Sequence, residues 1–245
     1  RNTMTLYKPG NFKIHKRFKP ISIAIEDTKP FIMCTAKLNE NSSLDLKLLV
    51  DTGASHGLML NPTSNDGIKV PDKNVSGLLG FGLGGEITGK ISRIETLTIG
   101  RYTLPGVIVS FPDPNSYTDS LSDSKFTLRD GSVGGEILNR FTVIFDYPNE
   151  LIYLRPNSSH RKKFYFGLSG LDLHTTASRS FKVIFVRDSS PAQIAGMESG
   201  DEIVKVDGTD TRNLLLSEVN SLLNRKPFKK IKVTFLRANK EHTKK

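Results

Sequence analysis

The chain has 245 residues, a formal net charge of +10 at neutral pH and a pI near 9.6. Since single domains typically hold about 100–150 residues, this length predicts two compact units. Hydrophobic residues at 37% and charged residues at 24% are ordinary for a folded protein. No apolar run approaches the roughly 18 residues that a membrane-spanning helix needs, so we expect no integral membrane segment. The chain begins with Arg1 without an apolar signal segment, as a processed form or fragment would.

The positive charge raises the question of an anionic partner such as nucleic acid or membrane headgroups. The basic residues gather in short clusters near 13–19, 161–163, 225–230 and 244–245, without the aromatic interleaving of RNA-binding sheets. No zinc finger, helix-turn-helix or similar module is present. We therefore predict a solvated basic surface and no nucleic-acid partner. Nucleic-acid binding, the alternative, would show a steep dependence on salt.

From 21 to 154 the chain is a succession of β-branched and aromatic runs separated by Gly, Pro, Asn and Asp. The runs ISIAI, FIMCTAKL, LDLKLLV, ISRIETLTI, GVIVSF, FTVIFDY and LIYL are typical of strands. Cys34 lies at apolar alternation in the second run, which predicts a buried thiol. A short helix is predicted near 136–140 and a polar surface loop over 112–130. This pattern indicates a mainly β, barrel-like domain.

The strand pattern stops near Pro156, and the polar, basic stretch 157–163 is typical of a domain linker. The rest of the chain predicts strands over 171–174, 181–186, 202–206 and 230–236, and helices over 191–196 and 216–224. We therefore expect a second, smaller domain after the linker.

One carboxylate stands at the end of a buried strand, because the apolar run 44–50 leads directly into Asp51-Thr52-Gly53. Alone, this triplet is a weak signal, since Asp and Thr often cap loop amides in strand-ending turns. The small residues Ala54 and Ser55 follow it. A turn and a catalytic carboxylate are therefore both compatible with these residues.

Three later segments stand in a fixed order after the triplet: a glycine-rich run over 82–89, an apolar run over 94–100 and the run 131–138 before FTVIFDY. With them the chain resembles the retropepsin-like aspartyl proteases. The resemblance implies a retropepsin-like acid protease β-barrel over 1–158, with Asp51 as the catalytic carboxylate. Ser132 departs from the apolar-apolar-Gly element of this family, so the floor below the catalytic strand is expected to pack differently.

The same resemblance implies roles for the neighbouring residues. Thr52 would hydrogen-bond across a dimer axis, and Gly53 would let the backbone approach the carboxylate closely. Three glycines, Gly82, Gly84 and Gly85, would belong to a flap that bends over bound peptide; a plain hairpin tip is the alternative.

Aspartic peptidase chemistry needs two carboxylates that share one proton, one taking a proton from water and one donating to the substrate carbonyl oxygen. The chain has no second Asp-Thr-Gly or Asp-Ser-Gly, so we expect a homodimer in which each copy supplies Asp51. His56 follows the triplet without a nucleophile motif, which predicts a surface or packing histidine. The scattered histidines lack metal-ligand spacing, so we predict neither a metal nor a cofactor.

From 169 onward the runs SPAQIAG, GDEI and VKVDG resemble, in order and spacing, a PDZ domain of the bacterial, circularly permuted type. The resemblance implies a small α+β PDZ domain over 163–240 that binds a peptide C-terminus by strand addition. The binding residues would be Gly170, Leu171, Asp172, Leu173 and Val219. Helical spacing of the apolar residues over 216–223 is equally compatible with a core stripe. A carboxylate at Asp172 would oppose a bound carboxylate if it pointed inward.

These features together predict an aspartic endopeptidase that acts on polypeptides, with the PDZ domain recruiting peptides. The alternative is a non-catalytic scaffold that dimerises through the protease fold and binds peptides through the PDZ domain. The resemblance to bacterial proteins implies the cell envelope or periplasm, and the residues themselves indicate no compartment. Substrate and cleavage preference are not encoded in a recognisable motif.

Overall fold

A computed structural model of the chain describes residues 3–8, 11–40, 42–82, 85–114 and 128–245. Most of the elements are strands, which confirms the mainly β class. Two compact units are present: Ser76–Leu78 and Tyr165–Lys245 form the second, and the remaining residues up to Phe164 form the first. The domain limits 1–158 and 163–240 stay a prediction. Within the described ranges, no helix has the length and apolar character to cross a membrane.

Among its described residues, the first unit is a sheet with one short α-helix. Its strands are β1 Lys19–Glu26, β2 Lys29–Asn39, β3 Ser42–Val50, β4 Leu58–Leu60, β5 Asn74–Gly82, β6 Gly85–Arg93, β7 Thr96–Ile99, β8 Tyr102–Pro105, β9 Ile108–Pro112, β10 Gly131–Val133, β11 Phe141–Asp146 and β12 Leu151–Pro156. Helix α1 spans Gly135–Leu138, and a 3₁₀ turn spans Tyr147–Asn149. Hydrogen bonds join the strands in the order β11-β12-β1-β2-β3-β10-β4-β9-β6-β5, with β7 bound to both β2 and β8.

Alternating side chains explain why β3 forms and which face it buries. Leu46, Leu48 and Val50 are buried, and the residues between them are more exposed. That spacing of two is the period of a strand with one face on the core. In β2, Cys34 pairs opposite Leu46 and is also buried, so the predicted buried thiol is confirmed. Burial raises the pKa of the Cys34 thiol to about 12, which makes it a poor nucleophile at neutral pH.

The apolar runs lie in strands as predicted, with ISRIETLTI divided between the end of β6 and β7, and the predicted short helix is present as α1. Four of the described strands of this unit were not predicted from the sequence: β4, β5, β8 and β10. β4 and β10 have three residues each, which is too short for a visible period. β5 is interrupted by glycines, which weaken strand propensity. Of the predicted loop 112–130, residues 115–127 lie outside the described ranges.

The second unit is an antiparallel sheet with two helices. Its strands are β13 Leu171–Thr175, β14 Phe181–Val186, β15 Glu202–Val206, β16 Thr209–Asp210, β17 Val233–Arg237 and β18 Lys240–Lys244, and its helices are α2 Pro191–Ile194 and α3 Leu216–Leu223. The strand order is β13-β14-β15-β17-β18, with β16 paired to β15. Of these strands, β16 and β18 were not predicted from the sequence. Phe181, Phe235 and Val219 are buried in its core. β13 is thus an edge strand whose partner among the described strands is β14.

Candidate functional site

Asp51 lies directly after β3, where the strand leaves the core of the first unit. Val50 before it is buried, whereas Asp51 is partly exposed. The Asp51 amide donates a hydrogen bond of 2.9 Å to the carbonyl oxygen of Val133 in β10. The parallel pairing of β3 and β10 therefore continues into the residue that carries the carboxylate.

The loop after Asp51 orients its carboxylate. Asp51 Oδ1 accepts hydrogen bonds from Gly53 N at 2.9 Å and from Ala54 N at 3.1 Å. Thr52 and Gly53 are exposed. A Cβ added to Gly53 would lie 3.4 Å from Asp51 Oδ1, which is ordinary van der Waals contact, so crowding within one copy does not require glycine here. The sequence pattern predicted Asp51 and Gly53 but not the contribution of the Ala54 amide.

Backbone hydrogen bonds fasten this loop to the chain that follows β10. The donor and acceptor pairs are Gly134 to Gly57, Gly135 to Ala54 and Glu136 to His56, at 2.8, 2.7 and 3.2 Å. The two segments approach so closely that a Cβ on Gly134 would lie 2.3 Å from the carbonyl oxygen of His56. Glycine at position 134 is therefore a packing requirement of the loop that carries Asp51.

Ser132 and His56 form a polar pair beside this loop. Ser132 is buried in β10, and its Oγ lies 2.9 Å from His56 Nε2. Burial lowers the pKa of His56, and the nearby negative charge of Asp51 opposes that shift. His56 is thus a packing histidine, one of the two roles predicted for it. The polar Ser132 in the apolar-apolar-Gly element has a hydrogen-bond partner, which its sequence position did not reveal.

In the second unit, the loop before β13 collects its own backbone amides. Gly170 N donates to Gly167 O at 2.9 Å, Leu171 N to Ser169 Oγ at 3.3 Å, and Ser169 N to Asn224 Oδ1 at 3.2 Å. Gly170 has a φ of +82°, a conformation that disfavours other residues. The loop is a closed turn in which these three amides all point to acceptors within the unit.

An ion pair between a buried arginine and a partly buried aspartate lies beside the same loop. Arg187 is buried, and its Nη2 donates to Asp172 Oδ1 at 2.8 Å while its Nη1 donates to Gly167 O at 2.9 Å. The guanidinium also lies 4.1 Å from the centre of the Phe166 ring. Burial raises the pKa of Asp172, and Arg187 partly offsets that shift. The Asp172 charge is therefore neutralised by Arg187, a partner that the sequence pattern did not identify.

Sequence comparison finds two successive family matches along the chain. Residues 34–136 match the family described as aspartyl protease, and residues 159–245 match the family described as PDZ domain. The chain carries an aspartyl protease domain followed by a PDZ domain. No curated protein matches the chain.

Two solved structures show what the chain is similar to. A retropepsin-like aspartic protease from Rickettsia conorii shares 19% identity at a TM-score of 0.37, and the match covers 56% of this chain and 98% of that one. The HtrA-type protease AlgW with a decapeptide shares 12% identity at a TM-score of 0.34, over 87% of this chain and 58% of that one. The chain thus spans less than two thirds of the AlgW protein.

The glycine-rich segment of the protease domain forms the arms of a hairpin. Gly82 ends β5, and Gly85 begins β6 with a φ of +114°. A Cβ on Gly85 would meet open space, so glycine is needed there for the backbone conformation rather than for packing. Gly84, the third glycine predicted for the flap, lies outside the described residues.

Arg140 at the end of the supporting helix fastens the segment predicted to be a linker. Its guanidinium donates to the carbonyl oxygen of Lys162 and lies 3.4 Å from the centre of the Phe164 ring. Glu136, one turn earlier, has its pKa raised by burial, and Arg140 and Arg93 oppose that shift. The end of the predicted linker is therefore packed on the protease domain beside α1.

The predicted peptide-binding residues of the PDZ domain divide into two groups. Gly170, Leu171, Asp172 and Leu173 lie together in the loop and the edge strand β13. Val219 is fully buried in the core of the domain, so its position does not support direct contact with a peptide. The core stripe, the alternative interpretation of α3, describes Val219 correctly because its side chain packs inward.

Proposed function

We propose that the chain is an aspartic endopeptidase that hydrolyses peptide bonds in polypeptides. The observation that carries this proposal is the partly exposed Asp51 carboxylate, which the amides of Gly53 and Ala54 orient inside a domain matched to aspartyl proteases. Thr52 completes the catalytic triplet. Asp51 supplies the reacting carboxylate, and its neighbours hold that carboxylate in position.

The proposed reaction uses two Asp51 carboxylates that hold one proton between them. The ionised carboxylate takes a proton from a water molecule, and the resulting hydroxide adds to the carbonyl carbon of the peptide bond. The protonated carboxylate donates its proton to the carbonyl oxygen. Collapse of the tetrahedral diol then breaks the C–N bond: the leaving amine takes its proton from the first carboxylate, and one diol hydroxyl gives its proton to the second as the carboxylic acid forms. The pair again holds one proton.

A symmetric homodimer supplies the second carboxylate in this proposal. Among the described residues, the donors to the Asp51 carboxylate are the backbone amides of Gly53 and Ala54. One copy therefore supplies one of the two carboxylates that the reaction needs. Thr52 is exposed beside the carboxylate and is available for a contact across the dimer axis. The hairpin of Gly82, Gly84 and Gly85 would form the flap that covers bound peptide.

The PDZ domain is proposed to recruit peptides by strand addition. β13 has an unoccupied edge among the described strands, and backbone pairing there needs no particular ligand side chain. Gly170 and Leu171 would hold a peptide C-terminus, while Asp172 and Leu173 would lie along the added strand. A terminal carboxylate meets little repulsion from Asp172, because Arg187 neutralises that charge.

The test of the peptidase is Asp51→Asn, with cleavage of a peptide library measured across pH. The amide keeps the shape of the side chain but cannot take a proton from water, so we expect loss of activity with fold and dimerisation retained. Wild-type activity should be greatest on the acid side of neutrality, because the pair must keep one proton. Asp72→Asn, an exposed aspartate after β4, is the matched control and should stay active.

Sedimentation and circular dichroism on the same samples separate the outcomes. Activity retained by Asp51→Asn removes Asp51 from the mechanism, and activity from a monomer removes the shared pair. An inactive wild type at every pH, with peptide binding intact, supports the scaffold alternative instead.

A further inference from the structure

In the loop before β13, three successive backbone amides each donate a hydrogen bond to an acceptor within the PDZ domain. Ser169, Gly170 and Leu171 are the loop residues from which a bound peptide carboxylate would draw hydrogen bonds in a strand-addition complex. Two of the three acceptors belong to the loop itself, Gly167 O and Ser169 Oγ. The third, Asn224 Oδ1, comes from a residue 55 positions away.

Asn224 is held in place at the end of α3. Its backbone amide donates to Asn220 O at 3.1 Å, and its side-chain Nδ2 donates to the same oxygen at 2.8 Å. With Nδ2 committed to the helix, Oδ1 of the same amide group is turned toward Ser169 N. The side chain therefore presents a carbonyl oxygen to the loop, which is the chemistry that a peptide terminus would present.

We propose that Asn224 competes with a peptide carboxylate for the Ser169 amide, and so weakens the preference of the PDZ domain for free C-termini over internal segments. The inference rests on the proposed peptide binding by this domain. A carboxylate must displace Asn224 Oδ1, so it exchanges one hydrogen bond for another instead of satisfying an open donor. A strand added at β13 without a terminus displaces nothing from Ser169.

The charges around the loop favour the same conclusion. The buried cation closest to the loop, Arg187, is already paired with Asp172 and bound to Gly167 O. The Arg187–Asp172 pair therefore carries no net positive charge that could attract the carboxylate of a peptide C-terminus. The hydrogen bonds from Ser169 N and Leu171 N, at 3.2 and 3.3 Å, are longer than that from Gly170 N at 2.9 Å, so they are the easier ones to exchange.

The experiment measures affinities of one peptide in two forms. The probe is the tightest binder from a library of short synthetic peptides, prepared with a free C-terminus and with an amidated C-terminus. Fluorescence anisotropy on the full chain gives the ratio of the two dissociation constants. The variants are Asn224→Ala, which removes the competing oxygen, and Asn224→Asp, which replaces it with a charged and stronger acceptor.

In Asn224→Ala we expect the preference for the free C-terminus to rise about threefold to tenfold, the size of one hydrogen bond gained by the ligand. In Asn224→Asp the preference should fall, because the added charge repels the ligand carboxylate. The amidated peptide should keep its affinity within about twofold in both. Asn213→Ala, an exposed asparagine of the same domain, is the control and should match the wild type.

Unchanged preference in both Asn224 variants, with peptide still bound, overturns the inference and leaves the proposed peptide binding intact. Absence of binding in the wild type and in every variant overturns both. Thermal unfolding shows whether Asn224→Ala is folded, and Asn224→Ser serves in its place if the helix end does not tolerate alanine.

Discussion

The loop at Asp51 and the loop before β13 both gather backbone amides, but the amides serve different acceptors. In the protease domain, Gly53 and Ala54 donate to Asp51, the residue proposed to react. In the PDZ domain, Ser169 donates to Asn224, which stands where a ligand would bind. The Asp51 loop is thus organised around its own carboxylate, which is proposed to pair with that of a second copy. The amides of the PDZ loop have acceptors without a ligand, so in the proposed complex one hydrogen bond must be exchanged.

The two loops also differ in what holds them. Close backbone approach at Gly134 fastens the Asp51 loop to the chain after β10. The partly buried ion pair between Arg187 and Asp172 supports the PDZ loop. Damage to one support should therefore leave the other loop in place, which can be measured in the intact chain by hydrogen exchange of β3 and of β13.

The largest effect is expected from Arg187→Met. Removal of Arg187 leaves the partly buried Asp172 charge unpaired and also removes the hydrogen bond to Gly167 O, which together should cost the PDZ domain about 3–5 kcal/mol of unfolding free energy at neutral pH. Hydrogen exchange of β13 and β14 measures the loss. The double variant Arg187→Met with Asp172→Leu should recover part of it, because no charge is then buried. Equal loosening of β3 would contradict the independence of the two supports.

The loss of unfolding free energy in Arg187→Met should also depend on pH. Burial already raises the pKa of Asp172, and loss of Arg187 removes the opposing contribution. A raised carboxyl pKa in the folded state gives stability that is present below the unfolded value and is lost as pH rises through the folded value. The deficit of Arg187→Met should therefore be smaller near pH 4 than near pH 7.

A smaller effect is expected from Gly134→Ala in the protease domain. The added Cβ meets the His56 carbonyl oxygen at 2.3 Å, and relief requires the backbone to shift, at about 3 kcal/mol. Urea unfolding followed by hydrogen exchange of β3 and β10 checks this. Gly53→Ala is the matched control, because its added Cβ would lie 3.4 Å from Asp51 Oδ1, an ordinary van der Waals distance. Comparable destabilisation by both variants would show that the approach at Gly134 is not the support.

The smallest effect is expected from His56→Gln, and it concerns acid stability. Burial lowers the pKa of His56 below 6.5, so the folded state disfavours the protonated ring. Stability is then complete above the unfolded pKa and falls as pH drops toward the folded pKa, with a slope of at most about 1.4 kcal/mol per pH unit. Glutamine can still hydrogen-bond Ser132 but does not titrate, so the stability of the variant should fall less between about pH 7 and pH 5. A parallel decline in both proteins would assign the acid sensitivity to other groups.

Periodicity and local motifs account for the parts that were predicted correctly. Alternation at Leu46, Leu48 and Val50 marks β3, and the triplet after it marks Asp51. Turn and cap residues mark α2, where Ser190 Oγ accepts from Gln193 N and Pro191 opens the helix. These features depend on residues within a few positions of each other, and a sequence displays such spacing directly.

The polar pairs of both sites were decided by the tertiary structure. Ser132 hydrogen-bonds His56, which is 76 residues away in the sequence, and Ser169 hydrogen-bonds Asn224, which is 55 residues away. In the sequence, Ser132 is only a polar residue at an apolar position, and Asn224 is only the end of a helix. Whether a polar group is satisfied depends on which strand or helix the fold brings beside it, because hydrogen bonds form over about 3 Å in space and not over a fixed separation along the chain. The sequence by itself therefore determined the two domain families, the longer strands and the position of the candidate carboxylate Asp51. The fold alone determined the partners of Ser132, Ser169 and Asp172.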